Sequence, residues 1–224
     1  MQYRAVIFDL FGTLVYSFST QDHARQMEEM ARLLGVSPKD FAEQWGATRR
    51  ERETGRIAAI ADNVRRVAEP LNARVTEDQV DSAVRWYTAF ARAAFRPRED
   101  AVSTLRKIRN AGFSLISDCG PQAPGLWASS PLDGLVDVTV FSCLAGLKKP
   151  DPRIYREACR QLGVNPAECL YIGDGSSREL TGASVVGMTA VQVEAVPKGN
   201  SLVIDGESWS GKRIESLGEV LGLI

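Results

Sequence analysis

The chain has 224 residues, 44% of them hydrophobic and 25% charged, with a formal net charge of -1. These totals describe an ordinary soluble globular protein, large enough for one domain or for a core with an insertion, and they exclude a disordered chain. The near-neutral balance gives no global field for nucleic acid, and the longest apolar runs fall far short of the ~20 residues that a membrane span requires, so neither partner is expected.

The first element is an apolar strand, Ala5 to Phe8, that ends on Asp9 and turns at Gly12-Thr13. Continuous apolar strands belong to buried parallel sheets, and ligands gather at their carboxyl ends, so Asp9 is a candidate nucleophile. From Tyr16 to about Phe95 the pattern is helical. Thr20 can cap a helix to Leu34 that Gly35 ends; Ser37-Pro38 opens the next, with Gly55 as its stop; Pro70 ends a third; Thr76-Glu77-Asp78 starts a fourth. Beyond Pro97 helices alternate with strands. Helices are predicted over Glu99 to Asn110, Pro152 to Leu162 and Glu179 to Val186, and strands over Phe113 to Ser117, Val138 to Phe141, Cys169 to Gly173 and Thr189 to Val193. An edge strand at Leu202 to Asp205 and a final helix at Ile214 to Leu223 complete the reading. The fold class is α/β, a parallel sheet with right-handed crossovers, with residues 1-15 and 96-224 as core and the helical segment 16-95 inserted between strands one and two.

Two residue types narrow the chemistry. Cys119, Cys143, Cys159 and Cys169 form no C-x-x-C pair, so reduced and mostly buried thiols are expected. His23, the only histidine, lies in a polar helical stretch and is expected at the surface, which excludes multi-histidine zinc sites and favours carboxylate chemistry. The N-terminus has Arg4 and Asp9 around its apolar stretch and no signal-peptide layout, which points to the cytoplasm.

Four strand ends converge on one rim: Asp9, then Ser117 and Asp118, then Lys149 in the loop Gly146 to Pro152, then Asp174. A carboxylate, a hydroxyl, an ammonium and a second carboxylate in one crevice suit nucleophilic attack on an anionic group. Lys149 would offset negative charge, Ser117 would hold a substrate oxygen, and Asp9 with Asp174 could share a hard cation, for which magnesium fits better than calcium or zinc. The plainer readings are turn capping for Asp9 and Ser117, a solvated loop charge for Lys149, and a helix cap for Asp174. In the helical segment, Trp45, Arg49 and Arg52 fall near one helical face and could lean over the rim to grip an anion; a solvated basic face is the alternative.

These fragments, in this order, resemble the haloacid dehalogenase superfamily of hydrolases and phosphotransferases. The resemblance rests on Asp9-Leu10-Phe11-Gly12-Thr13, on the strand ending in Ser117, on Lys149 before Pro150, and on Asp174 and Glu179 before Gly182-Ala183. It implies a Rossmann-like three-layer core with a helical-bundle cap and a covalent aspartyl intermediate at Asp9. Ser117 and Lys149 would be the other catalytic residues, and Gly12, Thr13, Asp118, Arg49 and Arg52 would meet the substrate. Magnesium would be held by Asp9, Asp174 and the backbone carbonyl of Phe11, with Glu179 either a metal ligand through water or a helix-terminus charge. The expected partner is a small anionic molecule, and the expected assembly a monomer or homodimer.

Phe11 is the departure. Family phosphatases have there a second aspartate that protonates the leaving alkoxide, and a missing general acid costs ~10² to 10⁴ in rate, roughly 3 to 5.5 kcal/mol. Unactivated phosphate monoesters are therefore expected to be poor substrates unless Asp118 or Glu51 supplies the proton, whereas leaving groups that need no proton suffer less. Family dehalogenases carry an aromatic residue at this position, which favours a 2-haloacid, but they use no metal and place a serine where this chain has Asp174. The expected activity is a magnesium-dependent phosphohydrolase. The alternatives are a 2-haloacid dehalogenase and a catalytically weak member that binds a phosphorylated ligand or partner.

Overall fold

The computed structural model describes residues 3-71, 74-108, 112-194 and 204-224. Six parallel strands form one sheet in the order β3-β2-β1-β4-β5-β6: β1 (Ala5–Phe8), β2 (Gly112–Ser117), β3 (Val138–Phe141), β4 (Cys169–Gly173), β5 (Thr189–Val193) and β6 (Arg213–Ile214). The central strand β1 is wholly buried because both faces are covered. Val6 and Phe8 point into one apolar layer with Leu105, Leu115 and Ile172, and Ala5 and Ile7 point into the other with Ile154, Tyr155 and Tyr171. Strand periodicity of two makes this division, and continuous apolar runs are what a doubly covered sheet requires. An α/β fold with a parallel sheet was the expectation, and it is the fold observed.

Register decides where the site lies. Phe8 pairs with Leu115 on β2 and with Ile172 on β4, so Asp9, Ser117-Asp118 and Asp174 leave their strands within two residues of one another on the same rim. The Asp9 amide still donates to Ile172 O at 2.9 Å, which holds the carboxylate at the end of the sheet.

Helices α1 (Thr20–Leu34), α2 (Pro38–Ala47), α3 (Arg49–Glu53), α4 (Ile60–Ala68) and α5 (Glu77–Ala94) follow β1, and an apolar cluster drawn from residues 27 to 87 binds most of them together. Ser19, not Thr20, caps α1: its Oγ accepts from the Asp22 amide at 3.0 Å while Asp22 accepts from the Ser19 amide at 3.2 Å, and Gly35 ends the helix at φ 68°. The helix expected from Pro38 to Gly55 is broken at Thr48. The Thr48 hydroxyl turns back onto Trp45 O at 3.1 Å, a bond that competes with the helical ladder.

The remaining helices are α6 (Ala101–Lys107), α7 (Ala123–Ala128), α8 (Ser142–Ala145), α9 (Pro152–Leu162) and α10 (Glu179–Val185). The expected final helix at Ile214 to Leu223 is instead strand β6 followed by a 3-10 turn, Leu217–Gly222. Pairing of Arg213 and Ile214 with Gln192 and Val193, and acceptance of the Leu217 amide by Asp100 at 2.8 Å, override the helical spacing. The expected strand at Leu202 to Asp205 lies partly outside the described residues, and Ile204 and Asp205 form a bend. No described helix is long and apolar enough to cross a membrane.

Candidate active site

Lys149 is the hub of the rim. Its ammonium, 2% exposed, donates to Asp9 Oδ1 at 2.6 Å and to Glu179 Oε2, with the Tyr171 hydroxyl at 3.5 Å. Burial works against the charge, but Asp9 and Glu179 outweigh it and hold the ammonium well above the usual lysine range. Glu179 is itself fixed by the Tyr171 hydroxyl at 2.8 Å and by the Gly175 amide, which meets Oε1 at 3.0 Å. Both of its oxygens are thus engaged by protein donors, and in this arrangement it anchors the lysine.

Asp174, on the loop after β4, accepts from the Ser176 amide at 2.8 Å and from the Ser176 hydroxyl at 3.1 Å. Burial, and then the neighbouring Asp9 charge, push its carboxyl up to about 6. Burial and Asp9 push Glu179 upward as well. Oxygens of Asp9, Asp174 and Glu179 lie within 4.8 Å of one another, and Asp9 Oδ2 is buried without a hydrogen-bond partner among the described residues. Three carboxylates around one ammonium leave surplus negative charge in a low-dielectric pocket, which favours a bound proton or a hard cation. The donor set therefore fits magnesium: Asp9 Oδ2 and Asp174 would hold it. Gly12, at φ +89°, packs its backbone so closely on Asp174 that a Cβ there would overlap Oδ2.

The other expected core residues divide by exposure to the cleft. Asp118 and Phe11 line it together with Asp9 and Lys149. Asp118 Oδ1 accepts from the Lys149 amide at 2.9 Å, and burial raises its carboxyl above the usual range. The Phe11 ring stands perpendicular to Phe95, with centroids 6.0 Å apart. Ser117 and Thr13 are fully buried, with hydroxyls that have no partner among the described residues. Beyond Asp174, Ser177 and Arg178 adopt left-handed backbone conformations at φ 57° and 53°, a strained turn whose Ser177 also lines the cleft.

The helical segment covers this rim. Arg49 donates to Glu53 at 2.6 Å, Glu53 accepts from Lys148 at 2.5 Å, and Lys148 lies 3.8 Å from Asp118, so a chain of charges links α3 to the loop that carries Lys149. Gly55, at φ +70°, lies so close to the Cys143 carbonyl that a Cβ would overlap it. Arg52 lines the cleft with Arg49, Trp45, Tyr87 and Phe18, and its guanidinium stacks on Trp45 at 4.3 Å. The solvated basic face is therefore not what the structure has at Arg52, which is 8% exposed.

Two expectations change. His23 is not a surface histidine: it is half-buried and lines the cleft, where burial, then Arg52 and Arg49, lower its pKa. It lies three and four residues before Gln26 and Met27, on the face of α1 that is buried, but of these only Met27 is apolar in sequence. Glu51, a possible proton source, pairs with Arg66 at 2.9 Å within the cap and does not line the cleft. Tyr171 and Glu53 were not anticipated. The four cysteines are buried free thiols, Cys119 beside Cys143 at 3.8 Å and Cys159 beside Cys169 at 3.7 Å.

Known proteins carry this combination of sheet rim and cap. The signature of haloacid dehalogenase-like hydrolases matches residues 3–187. A glyceraldehyde 3-phosphate phosphatase of Methanopyrus kandleri is 29% identical over 197 residues, 85% of this chain and 83% of the relative. An (S)-2-haloacid dehalogenase of Burkholderia cepacia is 29% identical over 203 residues, 85% of this chain and 82% of the relative. Among solved structures, a haloacid dehalogenase family enzyme of Bacteroides thetaiotaomicron in complex with magnesium and inorganic phosphate superposes with a TM-score of 0.66 at 18% identity, over 93% of this chain and 97% of that one. An L-2-haloacid dehalogenase of Xanthobacter autotrophicus with chloropropionic acid covalently bound gives 0.64 at 18% identity, over 99% and 98%. The match spans most of the chain and takes in all four polar strand ends, so this protein belongs to the haloacid dehalogenase-like hydrolases.

Proposed function

We propose that the protein is a magnesium-dependent phosphohydrolase that works through a covalent aspartyl intermediate on a small phosphorylated metabolite with a good leaving group. The observation that carries this reading is the surplus of carboxylates: Asp9, Asp174 and Glu179 around one lysine, with Asp9 Oδ2 unpartnered. A divalent cation held there by Asp9 and Asp174 would supply the neutralisation that lets an anionic phosphoryl group approach a carboxylate. Asp9 attacks phosphorus, the bond to the leaving group breaks with its electron pair going to that group, and water then hydrolyses the acyl phosphate. Lys149 offsets the charge on Asp9, and Tyr171 and Glu179 hold that ammonium in place; Ser117, fully buried at the end of its strand, would reach a phosphoryl oxygen only if the rim opens by a side-chain shift. Asp118 fixes the Lys149 backbone and borders the path of the leaving group.

The second reading, hydrolytic dehalogenation of a 2-haloacid, is favoured by Phe11, because a halide needs no proton donor. The two readings separate on p-nitrophenyl phosphate, acetyl phosphate and 2-chloropropionate, each offered with magnesium and with a chelator. Phosphate release from the first two that depends on magnesium is expected. Chloride release without magnesium would overturn the phosphohydrolase reading, and phosphate release that survives chelation would overturn the metal assignment. If nothing turns over while a phosphate analogue with magnesium raises the melting temperature, the protein binds without catalysis.

Acidity gives a further expected result. The Asp174 carboxyl titrates higher folded, at about 6, than its ordinary value of 3.8, so its proton is held more tightly by the native state. Metal-free protein should therefore gain stability from this group as pH falls through about 6 and lose it as pH rises. A cation must displace that proton, so magnesium affinity should fall about tenfold per pH unit below 6. Calorimetric titration at pH 5.0, 6.0 and 7.5 measures it, and an affinity independent of pH would remove Asp174 as a ligand.

A further inference from the structure

The cap half of the cleft holds a buried cation with no ion-pair partner among the described residues. Arg52 is 8% exposed, yet the contacts that fix it are neutral: Nη1 donates to Trp45 O and to Thr48 Oγ1, both at 2.7 Å, and the guanidinium lies over the Trp45 ring. The nearby carboxylate, Glu53, is taken on one oxygen by Arg49 at 2.6 Å and on the other by Lys148 at 2.5 Å. Among the described residues no carboxylate comes within ion-pairing distance of Arg52. Burial brings its pKa down to about 10, Tyr87 and Glu53 oppose that shift only in part, and Arg49 adds repulsion; burial, then Arg52 and Arg49, lower the pKa of His23 in the same cleft. A guanidinium so placed is poorly compensated, and an incoming anion relieves it.

The same side chain is held ready for a particular shape. Nη1 is spent on the backbone and Thr48, while Nε and Nη2 have no hydrogen-bond partner among the described residues. A carboxylate matches that planar fork with two parallel bonds. The cavity is small, about 220 Å³, with Asp9 and Lys149 in the core half, Arg52 and His23 in the cap half, and the rings of Phe11, Phe18, Trp45 and Tyr87 among its walls. One ligand can therefore meet both halves across an apolar middle.

We propose that Arg52 binds a second anionic group of the substrate, a carboxylate remote from the bond broken at Asp9, so that the substrate class is a small carboxylic acid with an apolar body that carries the scissile phosphoryl group. The proposal rests on the phosphohydrolase reading for the group at Asp9 and goes beyond it in assigning the other end.

The test compares phenyl phosphate with 3- and 4-carboxyphenyl phosphate, whose phenolate leaving groups need far less protonation than an alkoxide. Wild-type protein should favour a carboxylated ester by about 10- to 100-fold in kcat/KM, the size of a charge-assisted hydrogen-bond contribution, with the difference mainly in KM. Arg52→Gln should bring the ratio between the esters close to one, whatever it does to each rate, and Arg52→Lys should restore part of it. A readout free of turnover runs beside it: benzoate should raise the melting temperature of the wild type and not of Arg52→Gln. Hydrolysis with equal preference for both esters in the wild type overturns the proposal and leaves the phosphohydrolase reading intact. Equal stabilisation of both proteins by benzoate also overturns it. If no ester is hydrolysed while benzoate stabilises the wild type alone, the carboxylate site stands and the phosphohydrolase reading falls.

Discussion

Asp9→Asn is expected to lower turnover by at least ~10⁴-fold without lowering the melting temperature of the metal-free protein. The first half follows from chemistry: an amide oxygen cannot form the acyl phosphate, and removal of a nucleophile acting in concert with its neighbours removes nearly all of the rate. The second half follows from charge. Asp9 sits with Asp174 and Glu179, its ion-pair partner among the described residues is Lys149, and it is a cause of the upward shifts of both carboxyls. Neutralising it turns the 2.6 Å ion pair with Lys149 into a weaker bond to an amide oxygen but relieves two repulsions, while Glu179 and Tyr171 keep the ammonium placed. On the proposed reading magnesium should raise the melting temperature of the wild type by binding the folded state, and should do so much less in the variant. Turnover with and without magnesium, and melting curves in both states, are the measurements. Retained turnover would remove Asp9 as the nucleophile; a large fall in the metal-free melting temperature would mean that the Lys149 contact outweighs the repulsion.

The parts of this site that the sequence reveals are those fixed by the sheet. Ala5 to Phe8, Leu115-Ile116 and Leu170 to Ile172 are continuous apolar runs because both faces of the sheet are covered, and a polar residue that ends such a run must emerge at the rim. Hence Asp9, Asp118 and Asp174 are legible at once. Tyr171 is not, because a tyrosine within a buried strand reads as core packing, and its hydroxyl reaches Lys149 and Glu179 only through the fold. Glu53 is hidden in a run of charges that reads as a solvated face. It becomes a link to the core only when Gly55 lets α3 settle against Cys143 and bring Glu53 to Lys148. His23 reads as a surface residue for a related reason: its immediate neighbours are polar, and the buried stripe that it extends along α1 matters only where the cap packs on the rim. At the C-terminus the local pattern is overridden. The apolar spacing of Ile214, Leu217, Val220 and Leu221 is real, but it serves a strand edge and a 3-10 turn held by Arg98 and Asp100.

Phe11→Asp is expected to raise turnover of unactivated alkyl phosphates by ~10² to 10⁴, the range that a general acid contributes. The turn that presents residue 11 does not depend on its side chain: the Gly12 amide donates to Val15 O at 2.8 Å, and the Leu14 amide to Leu10 O at 2.9 Å. The substitution therefore keeps the backbone and gives up the edge contact with Phe95, at a stability cost of about 0.5 to 1.5 kcal/mol. An aspartate there would face Asp9 in a cleft walled by Phe18, Trp45 and Tyr87, surroundings that favour its protonated form. A basic limb should accordingly appear in the pH-rate profile of the variant and be absent from the wild type. Phe11→Asn separates the proton from the volume, since it makes the same cavity without an acid, and it should gain nothing. A good leaving group sharpens the contrast: p-nitrophenyl phosphate, which needs no proton, should respond far less to Phe11→Asp than an alkyl phosphate does. Equal gains on both esters would show that Phe11 limits access to the cleft, and no gain on either would place the missing proton donor elsewhere than beside Asp9.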